Sequence, residues 1–194
     1  LPSLLIVCRY IMKNQFTILV FFALCSTVLF AQSNPLPFGR TTLFAGSGIC
    51  EVCHASDGGN VMTVNGIDVS PVTYWRSTMM GNASKDPFWR AVVAEEVHRF
   101  PTLQQTIETT CINCHSPMGY TEAFFNGATN YSMAQMKTDP IANDGVSCTV
   151  CHQIKPDNFG SALSYSGHYE INLDSIIYGP YEDPLAEQMY DMSF

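Results

Sequence analysis

Basic side chains are scarce in this sequence of 194 residues, in which nine Lys and Arg stand against 17 Asp and Glu, a formal net charge of −8. Two of the nine bases and none of the 17 acids precede residue 32, which leaves seven against 17, a net of −10, in the rest of the chain. Such a surface repels nucleic acid and anionic lipid, so we expect neither as a partner. A protein with a basic docking patch would complement it. Acidity that only keeps the chain soluble accounts for the charge equally well.

Long apolar runs are also scarce, and the main one is Phe16–Phe30. Lys13 precedes it and the small residue Ala31 follows it, so residues 12–31 have the basic start, apolar centre and cleavage site of a secretory signal peptide. The run is short for a retained membrane span, and an uncleaved anchor helix is the alternative. We interpret residues 1–11, which begin with Leu and precede the signal, as a mistranslated leader. The sequence predicts a periplasmic or secreted bacterial protein with no membrane span after signal cleavage.

Cysteines outside one recurring motif are absent after residue 31. Of the eight cysteines, Cys8 and Cys25 lie in the first 31 residues, and the other six form three Cys-x-x-Cys pairs, each followed directly by His. No cysteine remains for a separate structural disulfide, which argues against the disulfide framework that six cysteines in an exported chain would otherwise indicate. The three motifs comprise Cys50, Cys53 and His54, then Cys111, Cys114 and His115, then Cys148, Cys151 and His152.

Cys-x-x-Cys-His is the spacing of covalent c-type haem attachment. Two thiols three positions apart lie on one side of a helical turn and can each reach a vinyl group of the porphyrin, and the His that follows ligates the iron. Structural zinc sites take four ligands, and three Cys-Cys-His sets do not divide into fours without a remainder. A thioredoxin-like redox pair would be expected once, near a strand–helix unit. We therefore predict three covalently bound haem c groups.

Turn and capping residues predict a mainly α, loop-rich fold with a small β-hairpin. Asn65-Gly66 indicates a hairpin turn, and Ser70-Pro71 and Asp86-Pro87 have the pattern of helix starts. The predicted elements are a hairpin over 61–69, helices over 70–81, 86–100 and 102–115, a short helix within 129–138, the third motif on 145–152, and short strands and loops over 159–181. The predicted domain, residues 32–194, is small for three haems, so the haems must form much of its core and lie close together.

Histidines are too few to give every iron two of them. The five His of the sequence leave only His98 and His168 as distal ligands, so at least one iron must have Met, an open or water-bound position, or a ligand from elsewhere. His98 shares a predicted helix face with Ala91 and Ala94, which would let a flat porphyrin approach. The other, apolar face comprises Phe88, Trp89, Val92, Val93 and Val97.

Each of these two histidines has an alternative explanation. His98 could be a solvated partner of Glu95 or Glu96 on the same helix. His168 is predicted on a loop, where a surface histidine is equally expected. The residues alone leave both alternatives open.

Methionines are the other candidate ligands. Met79 and Met80 close the predicted helix over 70–81, and thioether ligation raises a haem potential relative to two histidines, but most methionines fill cores. Met118 follows His115 by three residues, which is too close for it to reach the opposite face of its own haem. We expect Met118 to pack in the core.

The segment between the first two motifs adds a resemblance. Tyr74-Trp75-Arg76-Ser77, then Ala83 and Asp86-Pro87, taken with the three haem motifs, resemble the tetrahaem cytochrome c family, whose best-known member accepts electrons from hydroxylamine oxidoreductase. The similarity covers most of residues 48–181, and the haem motifs are its most specific part. It implies a mainly α-helical, loop-rich fold with haems stacked in close pairs, and a periplasmic electron carrier.

The chain departs from that family in two ways. The family's segment after the Trp typically supplies a distal His, whereas this chain has Met79-Met80 there, so the resemblance favours Met80, or Met79, as the ligand of one haem. The family also has a fourth haem motif, which does not occur before Phe194. The resemblance therefore predicts that the natural chain continues and that 32–194 is incomplete at its C-terminus.

Electron transfer through three haems, with a redox partner protein that carries a basic patch, is the leading functional prediction. A carrier of this kind is not an enzyme. The alternative is the N-terminal part of a multihaem oxidoreductase that acts on a small nitrogen or sulfur compound at an open-coordinate haem. Arg76 and Arg90 are candidate distal donors for that reaction.

Overall fold

The structure, a computed structural model, describes residues 35–56, 61–174 and 176–181. The predicted leader, 1–11, and signal peptide, 12–31, lie outside these residues. All elements described below belong to one unit that begins at Leu36. Within the described residues, no helix combines the length and apolar character needed to cross a bilayer.

Helices dominate the fold, in agreement with the prediction of a mainly α protein. The α-helices are α1 Ser47–His54, α2 Pro71–Arg76, α3 Pro87–Arg99, α4 Gln104–His115, α5 Pro117–Phe125, α6 Met133–Thr138 and α7 Cys148–His152. Short 3-10 helices cover Pro101–Leu103, Ala142–Asp144 and Ala162–Gly167. The one sheet of the described residues is the hairpin of β1 Thr63–Val64 and β2 Ile67–Asp68.

The hairpin forms where the sequence predicts it. Thr63 pairs with Asp68 and Val64 with Ile67 in antiparallel register. Asn65 and Gly66 make the turn with φ of 52° and 77°, the left-handed backbone that a two-residue hairpin loop requires and that Asn and Gly tolerate best.

The helix predicted over 70–81 is wrong at its end, because α2 stops at Arg76. The hydroxyl of Ser77 donates to the carbonyl of Tyr74 at 3.0 Å, and that of Thr78 donates to Trp75 at 2.7 Å. Short polar side chains that bond to nearby carbonyls compete with helix continuation. Residues 77–85, with Met79 and Met80, therefore form turns.

The helix predicted over 86–100 is confirmed as α3, and Asp86 caps it by accepting the backbone N–H of Phe88 at 2.9 Å. Its predicted core face is only half right. Trp89 and Val93 are buried, but Phe88 is 77% exposed and Val92 is 42% exposed. Trp89 and Val93, four residues apart, lie on the side of α3 that packs against α4. Phe88 and Val92 lie beside them and face solvent.

The remaining predictions on secondary structure are partly right. The helix over 102–115 is a 3-10 turn followed by α4, and the one within 129–138 is the shorter α6, which begins at a capping box of Ser132 and Gln135. Helix α5 was not predicted. The strands predicted over 159–181 are wrong, because the described residues there form a 3-10 helix and loops, with a single bridge between Ile154 and Ile171.

Two apolar clusters underlie the motifs. The first core comprises Trp89, Val93, Ile112, Tyr131, Met133, Met136 and Ala142. The second core comprises Leu43, Phe44, Met118, Ile141, Val150 and Ile171. Ile112 lies inside the second Cys-x-x-Cys-His motif and Val150 inside the third, so each core is built directly under a helix that carries a motif. Met118 is fully buried, as expected for a packing residue.

Candidate haem-attachment sites

Each of the three motifs forms the last turn of a helix, so that α1, α4 and α7 end at His54, His115 and His152. In every motif the first cysteine is partly buried and the second is exposed, and all six are free thiols. Thiols three positions apart on a helix lie on the same side of it. The local structure therefore presents each thiol pair as covalent attachment to one porphyrin requires.

The ring of His115 is held from two sides. Its Nδ1 lies 3.1 Å from the carbonyl oxygen of Ala83, and its ring stacks on Trp89 with centroids 4.3 Å apart and an interplanar angle of 5°. Because a carbonyl only accepts hydrogen bonds, Nδ1 must carry the proton. This tautomer leaves the lone pair of Nε2 available for a metal, and a backbone carbonyl on the other nitrogen is the usual support of a metal-ligating histidine.

The ring of His152 is held in the same way by a later segment. Its Nδ1 lies 2.6 Å from the carbonyl oxygen of Tyr178, and the backbone N–H of Tyr178 donates to the carbonyl of His152 at 2.7 Å. In the neutral ring, Nε2 is again the nitrogen without a proton. The ring of His54 has no hydrogen-bond partner among the residues that the structure describes.

The helices of the first and third motifs are joined at their N-termini by one buried carboxylate. Asp144 accepts the backbone N–H of Ser47 at 2.8 Å, the hydroxyl of Ser47 at 2.9 Å and the hydroxyl of Ser147 at 2.7 Å. Ser47 is the first residue of α1, and Ser147 is the residue before α7. The hydroxyl of Thr149 adds a hydrogen bond to the carbonyl of Ala45 at 2.9 Å.

This junction brings the first cysteines of the two motifs together. A hydrogen bond with Cys148, followed by burial, raises the pKa of Cys50 far above its ordinary value, while the same hydrogen bond lowers the pKa of Cys148. Burial also raises the pKa of Cys151. The first and third attachment sites thus adjoin each other.

The second motif contacts the segment that follows the third motif. The side-chain amide of Asn113, between the two cysteines of the second motif, donates to the carbonyl of Ser166 at 3.2 Å. Burial, and then the neighbouring Cys151 and Cys114, raise the pKa of Tyr169 to about 12. Tyr169 is therefore close to thiols of both motifs, and the structure brings all three attachment sites into one connected group.

His98, which stays a predicted distal ligand, lies on the same helix as Trp89. His98 is exposed on α3, nine residues after the Trp89 that stacks on His115, which is roughly 13.5 Å along the helix axis. Ala91 and Ala94 are exposed with it, as the shared face predicts. The alternative of an ion pair is not formed with Glu95, whose carboxylate accepts from Arg99 at 2.8 Å instead.

His168 and the methionines lie nearer to the motifs. His168 is exposed and directly follows Gly167, whose Cα is so close to Asn113 that a Cβ would come within 2.6 Å of the amide. Met79 is 88% exposed and Met80 is 51% exposed. The carbonyl of Met80 accepts the N–H of Val146 at 3.0 Å, two residues before the third motif.

Sequence reasoning missed the residues that hold the sites. Asp144 is one acid among 17, and its role follows only from the packing of α1 against α7. Ala83 and Tyr178 act through backbone carbonyls, which carry no side-chain signal. The sequence predicts Trp89 as a core residue, but it does not show that Trp89 stacks on the ring of His115.

Over the described ranges, no three His, Cys, Asp or Glu side chains cluster in a way that could hold a bare metal ion. No family model, no curated protein and no solved structure matches the chain. The donor set itself, two thiols and an imidazole with a free Nε2 on one helical turn, fits a covalently attached haem.

Proposed function

We propose that the chain is an exported multihaem c-type cytochrome that carries electrons through three covalently bound haems. The observation that supports this proposal most strongly is that Nδ1 of His115 and Nδ1 of His152 each form a hydrogen bond with a backbone carbonyl. Each of these histidines follows a pair of free thiols on the same helical turn. A catalytic thiol pair has no need for this support of the following histidine. A proximal iron ligand does.

Each motif has the same division of roles in this proposal. The two cysteines form thioether links to the porphyrin, and the histidine binds iron from the proximal side through Nε2. Haem, when bound, supplies an iron that gains and loses one electron. The chain's own residues fix the orientation of the imidazole, through the carbonyls of Ala83 and Tyr178, and its packing, through Trp89.

Exposed apolar side chains near the motifs support haems as part of the core. Val52, inside the first motif, is 57% exposed, and Leu163 and Tyr165, on the segment beside the second, are 71% and 61% exposed. Scattered apolar residues on a surface are ordinary, but groups of them at one site indicate a covered surface. Porphyrin faces would cover them here, and the contact between Cys50 and Cys148 supports a close pair of the first and third haems.

The distal sides separate electron transfer from the alternative, an oxidoreductase that acts on a small nitrogen or sulfur compound at an open haem. Beyond the proximal histidines, His98 and His168 are the only others in the chain, and Met80 lies beside the third motif. Three low-spin haems that do not bind carbon monoxide would support the carrier. A high-spin haem that binds carbon monoxide or nitric oxide rapidly would support the oxidoreductase.

Export with a c-type haem maturation system, followed by intact mass and haem staining, tests the basic proposal. We expect three haems on the exported chain. Changing Cys111 and Cys114 to Ala should leave two haems, and changing Cys148 and Cys151 to Ala is the matched control at another motif. A chain that carries fewer than three haems, or one whose cysteines bind zinc instead, contradicts the proposal.

A further inference from the structure

The buried carboxylate of Asp144 has no role in attachment, yet it lies between two attachment helices. Its side chain is fully buried, and all three of its hydrogen bonds come from residues at the N-termini of α1 and α7. A buried acid without partners would be costly, and here the partners are the two serines that begin the helices of the first and third motifs. Asp144 therefore fixes where these helices start relative to each other.

The same carboxylate acts electrostatically on both sites. After the hydrogen bond between the thiols and their burial, the charge of Asp144 is a further influence that opposes ionisation of both Cys50 and Cys148. A negative charge held inside a protein is screened less than one at the surface. It favours the oxidised iron, because ferric haem has one positive charge more than ferrous haem.

We propose that Asp144 is a positioning residue for the first and third haems, and that its buried charge lowers the reduction potentials of these two haems but not that of the second. This inference rests on the proposed function. The second motif lies on α4, and its histidine is held by Ala83 and Trp89, neither of which bonds to Asp144.

Asp144→Asn removes the charge and keeps the shape. The amide oxygen, in the place of Oδ2, can still accept from the N–H of Ser47 and from the hydroxyl of Ser147. The hydroxyl of Ser47 can rotate to accept from the amide nitrogen that replaces Oδ1. In the haem-loaded protein, we expect three haems and a rise in two of the three midpoint potentials. The expected size is about tenfold in each reduction equilibrium, which is about 59 mV for a one-electron couple.

Glu108→Gln is the matched control. Glu108 is also a buried carboxylate that accepts two hydrogen bonds, from Gln104 at 2.9 Å and from the N–H of Met133 at 3.0 Å, but it lies on α4. This variant should leave the two potentials that respond to Asp144 unchanged. If the potentials of Asp144→Asn do not change, or if all three rise equally, the inference is wrong.

If Asp144→Asn loses haem, the variant Ser147→Ala tests the inference instead. This variant keeps the charge and removes one of its hydrogen-bond donors, so the same two potentials should fall. Unchanged or raised potentials would overturn the inference while three haems remain attached. A wild-type chain without haem would instead overturn the proposed function itself.

Discussion

The first and third motifs are held by different means from the second motif. The helices of the first and third motifs are joined by polar groups, with Asp144 buried between two serines. The helix of the second motif is held by packing, with its histidine stacked on Trp89 over the first core. A carboxylate fixes the start of a helix, whereas an aromatic ring fixes the plane of the imidazole at its end. The comparison predicts that the second motif and the junction of the first and third motifs respond to different mutations.

Trp89→Ala should have the largest effect, and at the second motif. It removes a buried ring from the first core and from the face of His115, so the free energy of unfolding of the haem-loaded protein should fall by about 3–5 kcal/mol. Denaturant unfolding measures the loss, and in the proposed cytochrome the spectrum of the haem at the second motif should change with it. Phe88→Ala, at the exposed neighbour, should cost no more than about 0.5 kcal/mol. Equal losses in the two variants would contradict the packing role of Trp89.

Gly145→Ala should have an intermediate effect on stability, and this effect should be located at the third motif. Gly145 has φ of 76° and ψ of −143°, and an added Cβ would lie 2.6 Å from the carbonyl oxygen of Met80. The strain should cost about 1–3 kcal/mol and disturb the link between Met80 and Val146 that precedes Cys148. Thermal unfolding and haem content of the exported protein measure both effects.

Gly127→Ala is the control for Gly145→Ala. Gly127 also has a positive φ, 88°, but open space surrounds the position of its Cβ. Only the backbone strain remains there, about 1 kcal/mol, and haem content should be normal. If Gly127→Ala is as harmful as Gly145→Ala, close approach to Met80 is not what requires the glycine.

Glu122→Gln should have the smallest effect on the free energy of unfolding, and this effect should depend on pH. Burial alone would raise the pKa of Glu122, but hydrogen bonds from Thr41, Thr42 and Leu43 outweigh it and lower the pKa. A lowered folded-state pKa stabilises the fold above the unfolded pKa of about 4.3, and the contribution is lost as pH falls through the folded pKa. We expect a loss of about 1 kcal/mol at pH 7 that shrinks in acid.

Unfolding by denaturant at neutral and acid pH measures the effect of Glu122→Gln. Glu95→Gln, at an exposed carboxylate paired with Arg99, is the control and should change little at either pH. A loss that is the same at both pH values would show that the charge of Glu122 contributes nothing. The hydrogen bonds between Glu122 on α5 and the segment before α1 would then not depend on the charge of the carboxylate.

The parts of the fold that could be predicted are those with local signals. Asn65-Gly66 forces a hairpin turn, and Asp86-Pro87 caps α3, because their preferences act within a few residues. Helix α5 was missed although Ser116-Pro117 has the same pattern of a helix start as Ser70-Pro71, because the preceding helix ends at His115 and leaves no loop between the two helices. The three Cys-x-x-Cys-His motifs stand out from the sequence because their spacing is local, and haem attachment at them stays a proposal. The supports of these motifs could not be predicted, because Asp144 and the carbonyl of Tyr178 reach their partners only through tertiary packing.

The two histidine supports also differ in when they become available. The carbonyl that holds His115 belongs to Ala83, 32 residues earlier in the chain, whereas the one that holds His152 belongs to Tyr178, 26 residues later. A chain that emerges from a translocation channel N-terminus first would therefore complete the support of the second motif before that of the third. In the proposed cytochrome, the order in which haems are ligated would follow the direction of export.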